Sequence, residues 1–548
     1  MLKGTFSIFL CIIASSIIWS KNINEPISRP KLVVGIVVDQ MRWDFLYRYS
    51  DRYSSGGFKR LLQDGFECEN TFIPYTPTVT AAGHTCIYTG SVPAIHGITG
   101  NNFYDYTQHK ALYCSEDKSV KTVGAKDDLG QMSPKNMLTT TIGDELKLAT
   151  NFKSKVIGIA LKDRGAILPA GHGANAAYWY DNKTGTFISS TYYMDELPEW
   201  VQGFNESDYV AKYYQQNWNT LYPVSSYIQS DKDANTYENT PFGDDQKQFP
   251  YDLRRFIDKK NYGIIRSTPF GNSLTLDFTK TAIIKEEMGK HESTDFLAVS
   301  FSSTDYIGHS FGPNSIETED TYLRLDKDLE DFFNFLDQQV GKGNYTLFLT
   351  ADHGVAHIPG FLEKHHLPNG NVVGSKLEKD LNEALKSRFG SDSLCITGEN
   401  YQFFLNRKLV QERGLDLQKI ISYSILFLEQ QNGIERAIQY STLQNSLLPN
   451  AMKEQFANGY YPDRCGDILV ILKPGYIDDE YNGKGSTHGI WSPYDAHIPL
   501  LFYGAGITKG KSSKKVYMTD IAPTLTTLLH IQMPSGCIGN SIQEVLGR

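Results

Sequence analysis

The sequence lacks an excess of positive charge, an internal repeat and any long low-complexity tract. Its 548 residues include 53 Lys and Arg against 62 Asp and Glu, which gives a formal charge of −9. This acidic balance argues against a broad nucleic-acid-binding surface, because such surfaces need an excess of basic side chains. Hydrophobic residues make up 40% of the chain, which argues against intrinsic disorder. A large folded protein with a sizeable core is the class that remains.

Long hydrophobic runs are also missing, except at the N-terminus. The first 20 residues, MLKGTFSIFLCIIASSIIWS, carry one Lys, then an apolar stretch, then small residues. This order predicts a secretory signal peptide at residues 1–20. An uncleaved membrane anchor is the alternative, although the stretch is marginal for the ~20 residues that a spanning helix needs. We expect an exported protein without stable membrane insertion after the signal is cleaved.

Cysteine is scarce, with seven residues in the chain, and Cys11 lies in the predicted signal peptide. The other six show no zinc-knuckle spacing, which argues against a structural zinc site built from them. They could form disulfides after export or remain as free structural thiols. They are Cys68, Cys86, Cys114, Cys395, Cys465 and Cys537.

The sequence does contain a series of short apolar runs, and each run ends in charged or imidazole side chains that could bind a metal or a substrate. KLVVGIVVDQM ends at Asp39, and SKVIGIALKDR ends at Lys162 and Arg164. DFLAVSFSSTDYIGH ends at Asp305 and His309, and YTLFLTADHG ends at Asp352 and His353. Helical patterns lie between them, such as SIETEDTYLRLDKDLEDFFNFLDQQV with its apolar stripe. Buried strands alternating with helices predict an α/β fold with a central, mostly parallel sheet flanked by helices. In such sheets the carboxyl ends of the strands line one crevice, so the polar endings are expected to meet there.

Two stretches interrupt this alternation. Residues from about 170 to 290 are rich in Tyr, Asn and Asp, and residues from about 360 to 475 carry weakly patterned helices. Core-like strands resume after each, as in GDILVILK and HIPLLFYGAGI. We therefore expect one domain at residues 30–548 with two insertions, which would form a cap over the crevice. Surface elaboration remote from the crevice is the alternative.

Three carboxylates and three imidazoles are the candidate metal ligands. Mixed Asp and His ligands suit borderline divalent metals, zinc above all. The six divide into two sets of three, and three protein ligands leave an open position at each metal, as in catalytic zinc sites. Asp305 and His309, four residues apart, can face one metal from the first helical turn after a strand. One set is Asp305, His309 and His488, and the other is Asp39, Asp352 and His353.

Each of these residues taken alone has an ordinary structural explanation. An Asp at a strand end is often a helix N-cap, which explains Asp39 equally well. A DH dipeptide is commonplace, and His357 in DHGVAH has no third partner and is left out. It is harder to explain similar polar endings on four apolar runs as four unrelated helix caps. Their occurrence together supports the predicted metal sites.

A pair of zinc ions favours phosphoryl chemistry, which calls for a nucleophile nearby. The segment PYTPTVTAAGHT is a loop that runs into small residues and could open a helix. A Thr hydroxyl at that opening would lie near backbone N–H groups and could be activated by a metal. Spacing does not choose among the four candidates, and a capping role is the alternative for each. They are Thr76, Thr78, Thr80 and Thr85.

Six segments taken together resemble the alkaline phosphatase superfamily, specifically the PafA-type phosphate monoesterases of the bacterial periplasm. These segments are PTVTAAGHT, HGITGNNFYD, LKDRG, STDYIGHSFGP, TADHGVAH and STHG, and the similarity runs over nearly the whole mature chain. The resemblance implies an alkaline-phosphatase-like fold in a periplasmic protein, which we expect to be a monomer. It implies that Thr80 is the nucleophile and that Asn101 contacts a phosphoryl oxygen. It also implies that the six ligands hold two Zn²⁺ ions, the Asp39 set holding the ion that Thr80 binds.

Lys162 and Arg164 indicate the substrate class. By the same resemblance, related nucleotide pyrophosphatases and phosphodiesterases share the ligands, threonine and asparagine but lack this cationic pair. Two Zn²⁺, three Asp and a Thr alkoxide sum to no net charge, and the pair then brings the site to about +2, which matches a monoester dianion. Arg can bind two phosphoryl oxygens at once, and Lys supplies a point charge. An ordinary charged turn is the alternative interpretation of LKDRG.

The expected function is therefore hydrolysis of small phosphate monoesters through a covalent phospho-threonine, which releases inorganic phosphate after two in-line steps. The main alternative is a phosphodiesterase or nucleotide pyrophosphatase of the same superfamily. A sulfatase is disfavoured because no C/S-x-P-x-R motif occurs, and a non-catalytic binding protein would lack some of the ligands. No convincing extra acidic ligands for a third metal are found, so two metals are predicted.

Overall fold

The computed structural model describes residues 29–478 and 483–547. The predicted signal peptide at residues 1–20 lies outside the described residues. None of the helices in the described part combines the length and the apolar composition needed to cross a bilayer.

The strands are short except in the centre of the molecule, where they reach seven residues. In chain order they are β1 Leu32–Val38, β2 Phe66–Cys68, β3 Thr71–Phe72, β4 Asn102–Asp105, β5 Lys110–Tyr113, β6 Thr122–Val123, β7 Val156–Ala160, β8 Ala176–Asp181, β9 Thr186–Ser190, β10 Asn217–Trp218, β11 Tyr251–Asp252, β12 Asp295–Phe301, β13 Tyr345–Thr350, β14 Gly370–Val372, β15 Cys395–Glu399, β16 Gln402–Leu405, β17 Ile434–Gln439, β18 Ile468–Leu472, β19 Tyr476–Asp478, β20 His497–Ile498, β21 Leu500–Gly504, β22 Gly510–Ser512 and β23 Val516–Tyr517.

The helices range from single turns to a helix of 21 residues. In chain order they are α1 Phe45–Arg48, α2 Phe58–Asp64, α3 Thr80–Thr89, α4 Pro93–His96, α5 Ile142–Ala149, α6 Asp163–Ala170, α7 Glu199–Glu206, α8 Tyr209–Tyr214, α9 Arg254–Ile257, α10 Phe270–Lys285, α11 Ser303–Phe311, α12 Ile316–Leu336, α13 Pro359–Lys364, α14 Gly374–Phe389, α15 Arg407–Glu412, α16 Leu417–Glu429, α17 Asn450–Gly459, α18 Pro493–Ala496 and α19 Ile521–Leu529.

One ten-stranded sheet forms the centre of the fold, in the order β22-β2-β21-β13-β1-β12-β7-β8-β9-β6. The five strands from β13 to β8 are all parallel to their neighbours in this order. β1 has the sequence LVVGIVV and all of its side chains are buried, as a strand covered on both faces requires. It pairs with β12 without a break, from Leu32 opposite Asp295 to Val38 opposite Phe301. The predicted α/β fold with a parallel central sheet is confirmed.

Antiparallel pairs flank the parallel centre of the sheet on both sides, which the apolar runs did not predict, although the outermost pair of β22 and β2 is parallel again. β21 pairs antiparallel with β13, and β9 pairs antiparallel with β8. Only residues 182–185 join β8 to β9, and a connection this short cannot make the crossover that a parallel pair needs.

The predicted amphipathic helix is α12. Ser315 caps its N-terminus by accepting a hydrogen bond from the backbone N–H of Thr318. The stripe packs into the same hydrophobic cluster as β1, β12 and β13, so it attaches the helix to the sheet. The stripe consists of Leu323, Leu325, Leu329, Phe332, Phe333 and Leu336, all of which are buried.

The two stretches predicted as insertions differ from each other. The stretch at about 170–290 begins with β8 and β9, which are strands of the central sheet, and α10 packs on them through Phe278, whose ring stacks on Phe187. The stretch at about 360–475 instead builds a separate four-stranded sheet, β15-β16-β18-β17. Together with α14 and α16 this sheet encloses a hydrophobic cluster of its own. The six cysteines in the described residues are all free thiols.

Candidate active site

Four polar side chains emerge from the carboxyl ends of adjacent central strands. Asp352 follows β13, Asp39 follows β1, Asp305 follows β12 and Lys162 follows β7, and these strands are neighbours in that order. The Lys162 Nζ lies 2.7 Å from Asp39 Oδ2 and 2.6 Å from Asp305 Oδ2. The crevice at the strand ends thus gathers residues that are up to 313 positions apart in the sequence, as the strand pattern predicted.

The first predicted ligand set forms a compact group. Asp305 and His309 lie one turn apart on α11, and His488 comes from the loop before α18. The Nε2 atoms of His309 and His488 lie 3.3 Å and 3.6 Å from Asp305 Oδ1. The three ligand atoms lie within 4.8 Å of one another, a spacing that one metal ion can bridge.

All three predicted histidine ligands are oriented by the backbone. In His309, His353 and His488 the Nδ1 atom lies 2.7–2.9 Å from a main-chain carbonyl oxygen. Because a carbonyl oxygen only accepts, each Nδ1 carries the proton and each Nε2 presents its lone pair to the crevice. This is the tautomer that a metal ligand needs. The accepting carbonyls belong to Ser486, Gly354 and Thr78, respectively.

Asp39 shows most directly that the residues fit a metal. Its carboxylate is fully buried, and its Oδ2 lies 2.7 Å from Lys162 Nζ, an ammonium that it shares with Asp305. Burial, together with the charge of Asp352, raises the pKa of the Asp39 carboxyl well above its usual range. One ammonium shared by two buried carboxylates, with the Asp352 carboxylate close by, leaves negative charge that a metal cation would compensate. Asp39, Asp305 and His353 also have ligand atoms within 4.8 Å of one another, which makes a second cluster.

Asp352 belongs to the same crevice but points partly away from that second cluster. Its Oδ1 accepts hydrogen bonds from the backbone N–H groups of Gln40 and His353, and its Oδ2 lies 3.5 Å from His353 Nε2. Although burial raises it, the charges of His353 and His84 hold the pKa of Asp352 below its usual range. The structure therefore brings all six predicted ligands together, but by distance Asp305 belongs to both clusters and Asp352 lies beside them.

Thr80 is the candidate hydroxyl that faces these ligands. It is the first residue of α3, so its side chain lies at a helix N-terminus. Its Oγ1 lies 3.5 Å from His353 Nε2 and accepts a hydrogen bond of 3.4 Å from Lys162 Nζ. Although burial lowers it, the carboxylates of Asp305 and Asp39 raise the pKa of Lys162, so the ammonium beside Thr80 stays charged.

The other candidate threonines have structural partners. Thr78 donates to the carbonyl of Ile490, and Thr85 donates to the carbonyl of Ala81 within α3. Thr76 lines a different cavity. Of the four threonines that the sequence left open, Thr80 is thus the one that the start of α3 places beside the candidate ligands.

Asn101 lies beside the N-terminus of α3. Its Oδ1 accepts a hydrogen bond of 3.0 Å from the backbone N–H of Ala81, which leaves the NH₂ group as a donor for a ligand. Asn101, His309 and His488 line one cavity of about 330 Å³ that is partly open to solvent. The amide and the first metal cluster thus face the same space.

Arg164 lies farther from the ligands than Lys162 does. Its guanidinium donates to the Tyr113 hydroxyl at 3.1 Å, and that hydroxyl donates to Asp163 at 2.5 Å. Its Nε is buried and has no hydrogen-bond partner among the described residues. The sequence placed the two cations side by side, whereas the structure places Lys162 within the carboxylate cluster and Arg164 at the first turn of α6.

Comparison with known proteins identifies the family of the chain. The family model for type I phosphodiesterases and nucleotide pyrophosphatases matches residues 33–492. Alkaline phosphatase PafA of Elizabethkingia meningoseptica is 48% identical over 98% of both chains. The crystal structure of wild-type PafA superimposes with a TM-score of 0.93 at 48% identity, over 95% of this chain and all of that one. The chain belongs to this family, in its PafA-type alkaline phosphatase branch.

Two further relatives cover nearly the whole chain. Alkaline phosphatase PhoV of Synechococcus elongatus is 53% identical over 95% of this chain and 94% of its own. A protein of Myroides odoratus named calcium-transporting ATPase is 52% identical over 95% of this chain and 96% of its own. A PafA variant with one Thr, one Asn, one Lys and one Arg changed has also been crystallised, and it matches with the same TM-score of 0.93.

Gln40 is a residue of this PafA-type site that the sequence analysis missed. Its backbone has a left-handed φ of 68°, its N–H donates to Asp352 Oδ1, and its Nε2 donates to Asp305 Oδ1 at 2.8 Å. Gly308 makes room for it, because a Cβ there would lie 1.8 Å from the Gln40 Oε1. The available signal was a polar residue directly after Asp39 at the end of a buried strand.

His84 is the second residue whose role was missed, although it lies in the quoted motif. Its Nδ1 lies 2.9 Å from the Thr80 carbonyl oxygen and 3.3 Å from Asp352 Oδ2, and its Nε2 lies 2.9 Å from the Ser300 hydroxyl. Gly83 lets the helix approach this closely, because a Cβ there would lie 2.4 Å from the Asp352 carbonyl oxygen. His84 thus fixes the start of α3 against the end of β13.

Proposed function

We propose that this protein hydrolyses phosphate monoesters with Thr80 as the nucleophile, through a covalent phospho-threonine, at a site that holds two Zn²⁺ ions. The observation that carries the proposal is the position of the Thr80 hydroxyl, within 3.5 Å of both His353 Nε2 and Lys162 Nζ. The alkaline phosphatase names of two relatives at 48% and 53% identity support the activity.

The donor set supports the metal part of the proposal. Histidines that present Nε2, together with the buried carboxylates of Asp39 and Asp305, are ligands of the type that Zn²⁺ selects. When bound, the two ions would lower the pKa of the attacking hydroxyl and offset charge on the leaving oxygen. One ion would be held by Asp305, His309 and His488, and the other by Asp39, Asp352, His353 and Thr80.

Side chains of the protein supply the nucleophile, orient the phosphoryl group and balance its negative charge. Thr80 Oγ1 gives its proton to water and attacks phosphorus in line, so that the bond to the leaving oxygen breaks on the opposite side and that oxygen takes a proton from water to leave as the alcohol. The NH₂ group of Asn101 and the Lys162 ammonium donate to the nonbridging oxygens, and the N-terminus of α3 favours the developing charge. Water then attacks phosphorus from the side that the alcohol left, which frees Thr80 and inorganic phosphate with overall retention.

Lys162 and Arg164 support monoesters as the substrate class, because a monoester dianion carries one more negative charge than a diester. Lys162 already lies beside Thr80, whereas the guanidinium of Arg164 donates to the Tyr113 hydroxyl. The terminal phosphoryl group of ATP is also a dianion, so the ATPase name of the Myroides relative fits the same chemistry. The family model favours a second candidate, a phosphodiesterase or nucleotide pyrophosphatase.

We also propose that residues 1–20 are a signal peptide and that the enzyme acts as a monomer in the periplasm. The catalytic domain would span residues 30–548, with the stretch at about 360–475 as its cap. Two contacts of the β15–β16 turn support the cap: Asn400 donates to the carbonyl of Asn102, and Tyr401 donates to the carbonyl of His488.

The experiment that tests the activity compares an aryl phosphate monoester with the matching methyl aryl diester. We expect the zinc-loaded wild type to prefer the monoester, and the double variant Lys162→Ala with Arg164→Ala to lose mainly that activity. A preference for the diester, or an equal loss of both activities, would establish the phosphodiesterase instead.

A further inference from the structure

The aromatic ring of Tyr306 lies against the ammonium of Lys162. Tyr306 follows Asp305 on α11, and Lys162 Nζ lies 5.2 Å from the centre of its ring. An ammonium at this distance is attracted by the negative face of the ring, and the attraction is strongest where water is excluded. The Lys162 side chain is only 2% exposed, so water competes little for it. The ring is therefore a partner of the ammonium in addition to the two carboxylates.

The contact with Tyr306 differs in kind from the ion pairs that Lys162 makes. Its two carboxylate partners, Asp39 and Asp305, are also candidate metal ligands. Bound Zn²⁺ ions would compensate the charge of these carboxylates and would repel the Lys162 ammonium. The Tyr306 ring is not a candidate ligand, so its attraction for the ammonium would remain. It is the contact that can keep Lys162 beside Thr80 when the metals are bound.

Arg266 fixes the Tyr306 ring at its hydroxyl end. The Arg266 Nη1 donates a hydrogen bond of 3.1 Å to the Tyr306 hydroxyl, and its Cζ lies 4.9 Å from the centre of the ring. The Arg266 Nε donates at 3.2 Å to the main-chain carbonyl of Gly263, so the guanidinium is itself held in place. Both residues are half-buried. Lys162, Tyr306 and Arg266 thus form a continuous series of contacts that ends beside Thr80.

We propose that Tyr306 is a positioning residue, whose ring holds the Lys162 ammonium beside Thr80 while Arg266 fixes the ring. The inference rests on the proposed function, in which Lys162 donates to the phosphoryl oxygens. Because the Lys162 charge matches the extra negative charge of a monoester, the ring should matter more for monoesters than for diesters. The stretch at about 170–290 would then affect specificity through Arg266, although it carries none of the candidate ligands.

Replacing Tyr306 in two ways separates the ring from its hydroxyl. Tyr306→Leu removes the ring, whereas Tyr306→Phe keeps it and loses only the bond to Arg266. Tyr306→Leu is also made together with Lys162→Ala. The matched control is Phe335→Leu, which removes a ring near Lys280 on α12, where the ammonium lies 5.9 Å from the ring centre.

Three quantities are measured for each variant. The first is kcat/KM for an aryl phosphate monoester and for the matching methyl aryl diester. The second is the affinity of the zinc-loaded protein for inorganic phosphate, by titration calorimetry. The third is the affinity for zinc, by competition with a chelating dye, which reports whether the change at Tyr306 has disturbed its neighbour Asp305.

We expect Tyr306→Leu to lower kcat/KM for the monoester and the affinity for phosphate by about tenfold each, and the diester rate by less than about threefold. Tyr306→Phe should stay within about threefold of the wild type, because a Phe ring also attracts an ammonium. With Lys162→Ala present, Tyr306→Leu should cause little further loss, since the two residues act as a pair. Zinc affinity and the control variant should be unchanged.

Equal losses for the two esters, a loss of zinc affinity, or the full loss again in the presence of Lys162→Ala would overturn the positioning role and leave the phosphatase intact. Wild-type behaviour of Tyr306→Leu would also overturn it. If that variant does not fold, Arg266→Gln decides: a loss of about threefold confined to the monoester supports the role, and an equal loss for both esters overturns it. A wild-type enzyme that prefers the diester, or cleaves neither ester, would instead refute the proposed function.

Discussion

The side-chain amide of Gln40 donates a hydrogen bond of 2.8 Å to Oδ1 of Asp305, while the backbone N–H of Gln40 donates to Asp352. One residue in a left-handed conformation thus orients carboxylates from two predicted metal sites. Partners of this kind commonly set ligand geometry and metal affinity. Gln40 is therefore expected to act as a positioning residue.

Replacing Gln40 by Ala should weaken zinc binding by about tenfold to 100-fold, because Asp305 loses the donor that orients it. Zinc affinity can be measured by competition with a chelating dye. Gln411→Ala, on the exposed surface of α15, is the matched control and should bind zinc as the wild type does. If Gln40→Ala kept full zinc affinity and only lowered the thermal stability, its role would be structural rather than positioning.

Thr80→Ala should lower kcat by at least about 10³-fold, as expected when a nucleophile is removed. Thr80→Ser keeps a hydroxyl and should retain measurable turnover. Thr85→Val is the matched control on the same helix, since the Thr85 hydroxyl donates to the Ala81 carbonyl within α3. Mass spectrometry after rapid acid quenching should detect a phosphorylated peptide containing Thr80 in the wild type. Full activity of Thr80→Ala would show that water attacks directly.

The ends of the central strands could be predicted from the sequence, because the pattern of apolar and charged residues shows where each buried strand stops. A buried parallel strand such as β1 has an uninterrupted apolar run, and its end is marked by the first charged residue, Asp39. Neighbouring parallel strands end at one edge, so Asp352, Asp305 and Lys162 could be expected near it. The long separations along the chain did not matter, since the pairing of strands removes them.

Side-chain directions could not be predicted in the same way. The choice of Thr80 depends on where α3 begins, and the position of Arg164 depends on a bond to Tyr113, a residue far away in the sequence. The contribution of Gln40 needs a left-handed backbone, for which its side chain gives no signal. The extension of the sheet by β9 depends on a hairpin whose residues looked like part of an insertion.

Removal of metal should abolish activity and lower the melting temperature together. Asp39, Asp305 and Asp352 are buried together, and Lys162 supplies one positive charge among them, so the metal-free protein should be the less stable form. Dialysis against a chelator should remove the metal and the activity. Titration with Zn²⁺ should then restore the activity when elemental analysis shows two zinc equivalents bound per protein. Asp305→Ala should bind fewer equivalents than the wild type. Restoration at a single equivalent would contradict the two-metal site.

The pH dependence of stability should be sensitive to Asp495. This carboxyl is buried, and its Oδ2 accepts hydrogen bonds of 2.9 Å from the backbone N–H groups of Gly489 and Ile490. Burial raises its pKa to about 7. Between its unfolded value near 3.8 and pH 7 the folded protein holds a proton that the unfolded chain has lost, so the free energy of unfolding should fall as pH rises.

Asp495→Asn removes this titration while keeping an acceptor for the two N–H groups. In urea denaturation, the stability of the variant relative to wild type should therefore increase from pH 5 to pH 8, with zinc held at saturation. Asp416→Asn, at the exposed N-cap of α16, is the control and should show no such trend. A constant difference between Asp495→Asn and wild type across this range would mean that Asp495 is ionised in the folded protein throughout. The loop before α18 would then be stabilised by a charged carboxylate that accepts hydrogen bonds from Gly489 and Ile490, the two residues that follow His488.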